Sequence, residues 1–191
     1  MIHEVIVTCR NPQGENQIAP MGVVWRGGDL VIAPFRPSRT LDSILAGECA
    51  VINYCDDVRV FAGCLTGRYD WPLVEADQVA APRLAEALAH CEVRLRRVEE
   101  DPLRPRLVCQ PIHEANHRPF RGFNRAQAAV LELAILVSRL GRLPPEKIES
   151  EIAYLTIAVD KTAGEREREA WAWLMARVDD FRRQQAREGA V

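Results

Sequence analysis

The chain has 191 residues, of which 48% are apolar and 27% are charged, and its formal net charge is −2. This length can bury one substantial core, either as a single domain or as a domain with a helical annex. The nearly balanced charge disfavours broad nucleic-acid binding, which needs a basic face, and no segment approaches the ~20 apolar residues that span a bilayer.

The six cysteines include no CxxC pair, and most lie within apolar strand patterns. This pattern predicts buried free thiols in a reducing compartment. The N-terminal segment MIHEVIVTCR lacks the basic region and long apolar run of a secretory signal. We therefore expect a cytoplasmic protein.

Strands are predicted for most of the first half. Residues 2–9 are rich in Ile and Val and precede a turn at 11–14. A hairpin follows, with one strand through residues 19–22, a turn at Gly27-Gly28-Asp29 and a second strand over residues 30–33.

The middle of the chain is mixed. Residues 40–46 predict a short helix with Thr40 as N-cap and Gly47 as its end. Residues 49–54 are almost continuously apolar, which is typical of a strand covered on both faces. Residues 56–65 fit a helix or a strand, and residues 82–88 are expected to hold a short helix.

A two-stranded ribbon is predicted from Cys91, because side chains alternate and the pattern resumes at Leu107 and Cys109 after an acidic turn at residues 100–102. One face of the first ribbon strand carries Cys91, Val93 and Leu95, and the other carries Glu92, Arg94 and Arg96.

Three amphipathic helices follow. Apolar residues recur at helical spacing over residues 126–140, over the segment that Pro144 and Pro145 open, and from about Gly164 to Arg187. Strands followed by helices predict the α+β class. Trp171 and Trp173 are two residues apart and are not expected to face the same core, and the chain is expected to fray after Arg187.

A loop with anion-binding side chains follows the first hairpin. Arg36, Ser38, Arg39 and Thr40 place two guanidinium groups and two hydroxyls within five residues. Guanidinium groups match phosphate oxygens in pairs, hydroxyls add short hydrogen bonds, and the N-terminus of the following helix offers free N–H groups. The loop therefore predicts a site for one phosphate.

Several segments together resemble a known family. The APMG strand, the basic Ser/Thr loop and the TLDSIL helix resemble the FMN-binding split β-barrel superfamily of flavin-reductase-like proteins. Within it, three further segments resemble domain-of-unknown-function family 447. These are Asn53-Tyr54-Cys55-Asp56-Asp57, Asn124-Arg125-Ala126 and Lys161-Thr162-Ala163-Gly164-Glu165.

The resemblance implies a split β-barrel of flavin-reductase type over residues 1–122 and a C-terminal three-helix unit over residues 123–191. It also implies bound FMN, a homodimer with the flavin at the subunit interface, and an FMN-dependent oxidoreductase or reductase acting on a small molecule. A pterin-like substrate of methanopterin-linked one-carbon metabolism fits this family. A non-catalytic flavin-binding or flavin-carrier protein is the alternative.

Further flavin contacts are expected on this basis. Met21 and Gly22 would wall the ring slot, where a missing Cβ permits close approach. Asn53 would meet the pyrimidine edge or the ribityl chain. Lys161 and Thr162 would donate to a substrate or to the flavin phosphate.

Each of these residues also has an ordinary structural interpretation. Gly22 would form a bulge, Asn53 would cap a turn, and Thr162 or Gly164 would cap a helix. Asn124 is expected to cap the first of the three helices.

The segment His113-Glu114-Ala115-Asn116-His117 matches the HExxH zinc-protease motif, which needs both histidines one turn apart on a stable helix. Pro111 and Pro119 bracket it and limit any helix to about two turns. We expect a strand end and a loop, in which the histidines do not converge. No metal ligands are assigned, and a metallohydrolase or a structural metal site with Cys109 is kept only as a remote alternative.

Overall fold

The structure is a computed structural model that describes residues 1–188. It forms two compact units. A barrel unit comprises Met1–Asp56 and Asp70–Phe120, and a helical unit comprises Asp57–Tyr69 and the chain from Arg121 onward. The expected fraying after Arg187 concerns mainly residues 189–191, which lie outside the described residues.

Six strands of the barrel unit close into a barrel in the order β1-β2-β3-β8-β7-β4, and two more form a separate small sheet. The strands are β1 (Ile2–Arg10), β2 (Asn16–Arg26), β3 (Asp29–Ile32), β4 (Cys49–Tyr54), β5 (Leu73–Glu75), β6 (Pro82–Leu84), β7 (Ala89–Glu99) and β8 (Arg106–Asn116).

All pairings in the barrel are antiparallel. The first hairpin and the β7–β8 ribbon are confirmed, and the barrel closes where β1 pairs with β4 through Ile6↔Asn53, Val7↔Ile52 and Thr8↔Val51. The interior is filled by alternating side chains. They include Val5, Val7, Cys9, Val23, Leu30, Ile32, Ala50, Ile52, Cys91, Val93, Leu107 and Cys109.

The short helix α1 (Arg39–Gly47) lies between β3 and β4, and its ends differ from the prediction. Ser38, not Thr40, is the N-cap, because its hydroxyl accepts the Leu41 N–H at 3.2 Å. Gly47 is still helical, and the chain turns at Glu48, whose φ of 53° is left-handed.

The helix predicted over residues 82–88 is wrong, because Pro82–Leu84 is strand β6 and pairs with β5. The proline lies at the first residue of its strand, where its missing N–H is tolerated. β6 covers the outer face of the barrel, where the Thr8 hydroxyl donates to the Pro82 carbonyl oxygen at 2.6 Å. The near-continuous burial of β1 follows from this cover.

The helical unit contains α2 (Val58–Leu65), α3 (Arg125–Val137), α4 (Pro145–Thr162) and α5 (Glu165–Glu188). Its core is formed by apolar stripes at helical spacing, including Val58, Ala62, Val130, Leu133, Ile152, Leu155, Leu174 and Val178. Trp171 and Trp173 both pack against this core, so the expectation that they would not share it is wrong. The Arg68 guanidinium lies 4.4 Å from the ring centre of Trp173 and covers one side of it.

The α+β class is confirmed. The chain passes from the barrel unit to the helical unit at Phe120–Arg121, close to the predicted boundary at residue 122, but one earlier segment lies in the other unit from the one predicted. Residues 57–69 belong to the helical unit, because Val58 and Ala62 of α2 lie in its core. The sequence did not distinguish helix from strand over residues 56–65, and so did not reveal that α2 belongs to the helical unit.

All six cysteines are free thiols, four of them buried. Burial raises the pKa of Cys9, Cys64, Cys91 and Cys109 to about 12. Among residues 1–188, no helix has both the length and the apolar character that a membrane crossing requires.

Candidate functional site

The loop of residues 33–38 joins β3 to α1 and is braced by the turn between β7 and β8. The Arg36 N–H donates to the Leu103 carbonyl oxygen at 2.9 Å, and the Arg104 guanidinium donates to the Ala33 carbonyl oxygen at 2.7 Å. The turn is itself shaped by Asp101, whose carboxylate accepts the N–H groups of Leu103 and Arg104. These contacts fix the backbone that carries the predicted phosphate-binding residues.

The four predicted phosphate-binding residues lie together but are not equivalent. Arg36 is exposed and forms an ion pair with Glu100 at 3.1 Å, and Arg39 is exposed. Ser38 is half-buried and is occupied by its capping bond. Thr40 is only 6% exposed, so it belongs mainly to the interior. The two guanidinium groups are therefore the accessible parts of the loop.

The first turn of α1 adds backbone donors to this set. The N–H groups of Arg39 and Thr40 have no partner within the helix, because the first residues of any helix lack one. The positive end of the helix dipole favours an anion here, whereas Asp42 in the same turn opposes it. Arg36 is paired with Glu100, so Arg39 is the arginine that offsets Asp42 in formal charge.

Met21 and Gly22 lie on β2 beside the start of this loop, because their neighbour Val23 pairs with Ile32. Met21 packs against the barrel core. At Gly22 a Cβ would lie 2.8 Å from Cγ2 of Ile2, an exposed side chain that would have to shift to make room for it. The absent side chain therefore also has a role in packing between β1 and β2.

Asn53 is completely buried and serves the fold. Its amide nitrogen donates to the Ile6 carbonyl oxygen and the Thr8 hydroxyl, both at 3.0 Å, and its amide oxygen accepts the Leu84 N–H at 2.7 Å. The side chain thereby links β1, β4 and β6. The expected contact between Asn53 and a flavin finds no support in this geometry, and neither does the turn-capping alternative.

Lys161 and Thr162 end α4 in the helical unit. The Thr162 hydroxyl accepts the Ala126 N–H at 3.1 Å, and the Asn124 amide donates to the Thr162 carbonyl oxygen at 3.1 Å. Asn124 caps α3 as predicted, accepting from Ala126 and Gln127. Thr162 therefore holds two helices together, while Lys161 is exposed.

The end of α4 is followed directly by a second cap. The Glu167 carboxylate accepts the Gly164 N–H at 2.9 Å, which is the reciprocal half of a capping box at the start of α5. These contacts support the interpretation that residues 161–165 end one helix and begin the next.

Two clefts lie elsewhere in the barrel unit. One, of about 410 Å³, is lined by the C-terminal end of α1 and by residues 78–80, and the other, of about 260 Å³, is lined by Tyr54, His90 and residues 114–116. Neither is lined by residues 36–40.

A second group of chemically active side chains lies on the outer face of β7 and β8. His90 and Glu92 are two residues apart on β7 and share a face, and His113 of β8 pairs with Glu92. Asp77 joins them from the segment between β5 and β6. His90 Nε2 lies 3.1 Å from Glu92 Oε1, and His113 Nε2 lies 3.3 Å from Asp77 Oδ2. We call these four residues the histidine–carboxylate cluster.

Glu92 is the buried centre of the cluster, with 0% of its surface exposed. Its carboxylate accepts backbone N–H groups from Asp77 at 2.7 Å, Gln78 at 2.7 Å and Val79 at 2.9 Å. Burial by itself raises the pKa of Glu92, but the bonds from His90 and the three N–H groups outweigh it and leave that pKa below its usual value. The carboxylate is therefore charged at neutral pH.

His117 extends this group, because its Nε2 lies 2.8 Å from His90 Nδ1 and the two rings stack. Burial and the positive charge of Arg83 lower the pKa of His117. The HExxH segment is the end of strand β8, as predicted, so the helical zinc-protease geometry is absent from it. His113 and His117 both lie beside His90, but only His113 joins the group of possible metal ligands, because His117 contacts the opposite ring nitrogen of His90.

Sequence reasoning missed His90, Glu92 and Asp77 as a group. The pair His-x-Glu at positions 90 and 92, facing His113 across a predicted ribbon, was the available signal. We assigned Glu92 to the face opposite the core but had no way to see that residues 77–79 cover it. That cover depends on a long-range contact that local periodicity does not encode.

Comparison with solved structures identifies the fold. The FMN-bound protein MM1853 from Methanosarcina mazei is similar over 92% of this chain and 94% of its own, with a TM-score of 0.79 and 20% identity. A protein with a split barrel domain from Shewanella frigidimarina is similar over 65% of this chain and 74% of its own, with a TM-score of 0.53 and 16% identity.

A third structure, 2-nitrobenzoate 2-nitroreductase from Pseudomonas fluorescens, is similar over 60% of this chain and 64% of its own, with a TM-score of 0.52 and 20% identity. The expected flavin-reductase-type split barrel, followed by C-terminal helices, is thereby confirmed as the fold.

The family follows from the sequence models. Residues 3–118 match the model described as "Protein of unknown function (DUF447) N-terminal domain", and residues 124–176 match "Protein of unknown function (DUF447)". The chain belongs to this family, which confirms the resemblance given above. No curated protein matches the sequence.

The buried carboxylate gives a testable pH dependence. Replacing it in Glu92→Gln should lower the free energy of unfolding at pH 7 by about 1 to 3 kcal/mol, because three buried N–H donors lose a charged acceptor. Because the folded pKa of Glu92 is depressed, its contribution is present above pH ~4.3, the usual value, and is lost as pH falls through the folded pKa.

Urea denaturation from pH 7 downward should therefore show the difference between wild type and Glu92→Gln shrinking below pH ~4.3. Glu4→Gln, at an exposed position on β1, is the matched control and should show no such convergence. If the difference in free energy of unfolding between Glu92→Gln and wild type stays constant with pH, Glu92 is not a stabilising carboxylate with a lowered pKa.

Proposed function

We propose that this protein binds FMN, with the flavin phosphate held by the loop of residues 36–40, and that it is an FMN-dependent reductase acting on a small molecule. The observation that carries the proposal is the exposed pair Arg36 and Arg39 at the N-terminus of α1, on a fold shared with a protein whose structure holds FMN. A pterin-like substrate is the one that the family resemblance suggests.

The donor set fits a phosphate group. Two guanidinium groups and the free N–H groups of the first helical turn match an anion with nearly two negative charges. Arg36 is held by Glu100 in an exposed ion pair, which costs little to exchange for a phosphate. The bracing by Leu103 and Arg104 keeps the loop backbone in place before a ligand arrives.

When bound, FMN would supply the hydride or single-electron chemistry, and the protein would supply placement. Arg36 and Arg39 would neutralise the phosphate. Met21 would support the wall beside the loop from within the barrel. Asn53 would act indirectly, since its amide holds β1, β4 and β6 in register.

We also propose that the protein is a symmetric homodimer in the cytoplasm. Phe35 and Leu103 support the dimer, because they are 55% and 61% exposed and lie on adjoining backbone segments at the phosphate-binding loop. An isologous interface would cover this apolar surface and place the loop beside the partner subunit. Two equivalent flavin sites would result.

The phosphate assignment predicts the effect of one charge. Arg39→Ala should weaken FMN binding by about 1 to 3 kcal/mol, the usual loss for a charged hydrogen-bond partner. Riboflavin lacks the phosphate, so its affinity should change little. Fluorescence titration of the flavin-free protein with both ligands measures the difference.

Arg118→Ala is the matched control. Arg118 is also an exposed arginine, but it follows the far end of β8 from the turn that braces the loop. It should bind FMN as wild type does. Equal FMN affinity in Arg39→Ala and Arg118→Ala would remove the loop from the site.

Reductase and carrier differ in their response to an electron donor. The purified protein with bound FMN should lose its flavin absorbance when NADH or NADPH is added without oxygen. Fully oxidised flavin with both donors, while FMN stays bound, would instead identify a non-catalytic carrier.

The dimer proposal predicts a mass of twice 21.5 kDa in light scattering after size-exclusion chromatography. Phe35→Glu should shift the protein to the monomer, because it places a charge in the apolar contact. Tyr154→Glu is the control, at an exposed aromatic residue in the helical unit. A wild-type monomer at micromolar concentration would disprove the dimer.

A further inference from the structure

We propose that the histidine–carboxylate cluster binds a divalent transition metal ion, with Zn²⁺ as the best match, through His90, Glu92, His113 and Asp77. Nothing in the flavin proposal requires this site, and its residues are separate from the loop of residues 36–40. One ligand atom from each of the four residues lies within 4.8 Å of all the others.

The spacing of these atoms matches one small coordination sphere. Zinc bonds of about 2.0 to 2.1 Å place the ligands of a tetrahedron about 3.4 Å apart. The contacts are 3.1 Å for His90 Nε2 to Glu92 Oε1, 3.3 Å for His113 Nε2 to Asp77 Oδ2, and 3.9 Å for His90 Nε2 to Asp77 Oδ2. All three distances lie within about 0.5 Å of the tetrahedral value.

The strand geometry explains why these atoms meet. Residues two apart on a strand share a face, which aligns His90 and Glu92, and antiparallel pairing places His113 opposite Glu92. The three N–H bonds from residues 77–79 to Glu92 then hold Asp77 over the same point. Three elements of the barrel unit thus supply ligands without any rearrangement of the backbone.

The charge of the cluster calls for a cation. Two carboxylates carry two negative charges, and no arginine or lysine in the described part of the chain forms an ion pair with Asp77 or Glu92. Glu92 is fully buried, and hydrogen bonds from three backbone N–H groups and His90, rather than an ion pair with arginine or lysine, stabilise its charge. A divalent ion bound by two neutral imidazoles and two carboxylates makes the group electrically neutral.

Outer contacts orient the ligands in the manner of metal sites. A ligating histidine normally donates its second ring N–H to an acceptor, which fixes the tautomer. His90 Nδ1 lies 2.8 Å from His117 Nε2, so with a metal bound His90 could donate there and direct an unprotonated Nε2 at the ion, in place of its bond to Glu92. Glu92 is held by its backbone bonds in the same way.

The ligand types favour zinc over magnesium or calcium, which prefer oxygen ligands alone. Access is also provided, because the Asp77 and His113 side chains are 60% and 34% exposed while His90 and Glu92 lie beneath them. The bound ion would fasten the segment between β5 and β6 to the outer face of the barrel.

Metal content and affinity test the site directly. The full-length protein without a histidine tag is stripped with a chelator, dialysed and titrated with ZnCl₂ by calorimetry, and bound zinc is counted by mass spectrometry. Wild type should bind one Zn²⁺ per chain. Co²⁺ in its place should give the intense visible absorption of tetrahedral coordination.

Three variants separate ligands from bystanders. His113→Gln removes a ligand without touching the bonds of Glu92 and should weaken zinc binding by more than ~100-fold. His117→Gln removes an outer partner and should weaken it by about 10- to 100-fold. His3→Gln changes an exposed histidine on β1 and should match wild type.

Circular dichroism checks that each variant is folded. The proposal is overturned if wild type takes up no zinc, or if wild type and His113→Gln bind it equally. FMN content, measured on the same samples, reports separately on the flavin proposal, so either can fail without the other.

Discussion

Closure of the barrel between β1 and β4 is the constraint on which the rest of the structure depends. The two strands share only three residue pairs, and one member of these pairs is Asn53, whose buried amide also binds β6. A buried amide with all its partners in place fixes a single register, because a shift by one residue would leave its N–H donors and its oxygen acceptor without partners. In the barrel that this register closes, β3 pairs with β2 and β8 and ends at Ile32, where the loop toward α1 begins.

The two candidate sites differ in how they depend on this scaffold. The loop of residues 36–40 lies at an edge and is exposed, so its arginines can exchange protein partners for a ligand. The histidine–carboxylate cluster is built on the strands themselves and sealed by residues 77–79. A site on strands is held more tightly than one on a loop, which suits coordination of an ion by several side chains.

Much of the fold could be predicted from the sequence, because its signals are local. Alternation predicted the β7–β8 ribbon, and the Gly27-Gly28 turn predicted the first hairpin.

The predictions were wrong where tertiary contacts, and not the local sequence, determine the structure. Pro82–Leu84 is a strand because β5 lies beside it, and Glu92 is buried because a distant segment covers it. Ser38 replaced Thr40 as N-cap, a difference of two residues that composition alone could not resolve. The loop of residues 36–40 was proposed as a phosphate site from clustered charge, whereas the cluster around Glu92 needs the register of two strands and a third segment.

The placement of α2 has a consequence for how this chain can be divided. The chain leaves the barrel unit after Asp56, forms one helix of the other unit, and returns at Asp70. Cutting the protein at residue 122 would therefore separate α2 from the other helices of its unit. Val58 and Ala62 would then lose the contacts that bury them. During synthesis the same helix must wait for α3, α4 and α5 to emerge before its apolar face is covered. The two units are interleaved along the polypeptide, so neither is an excisable module.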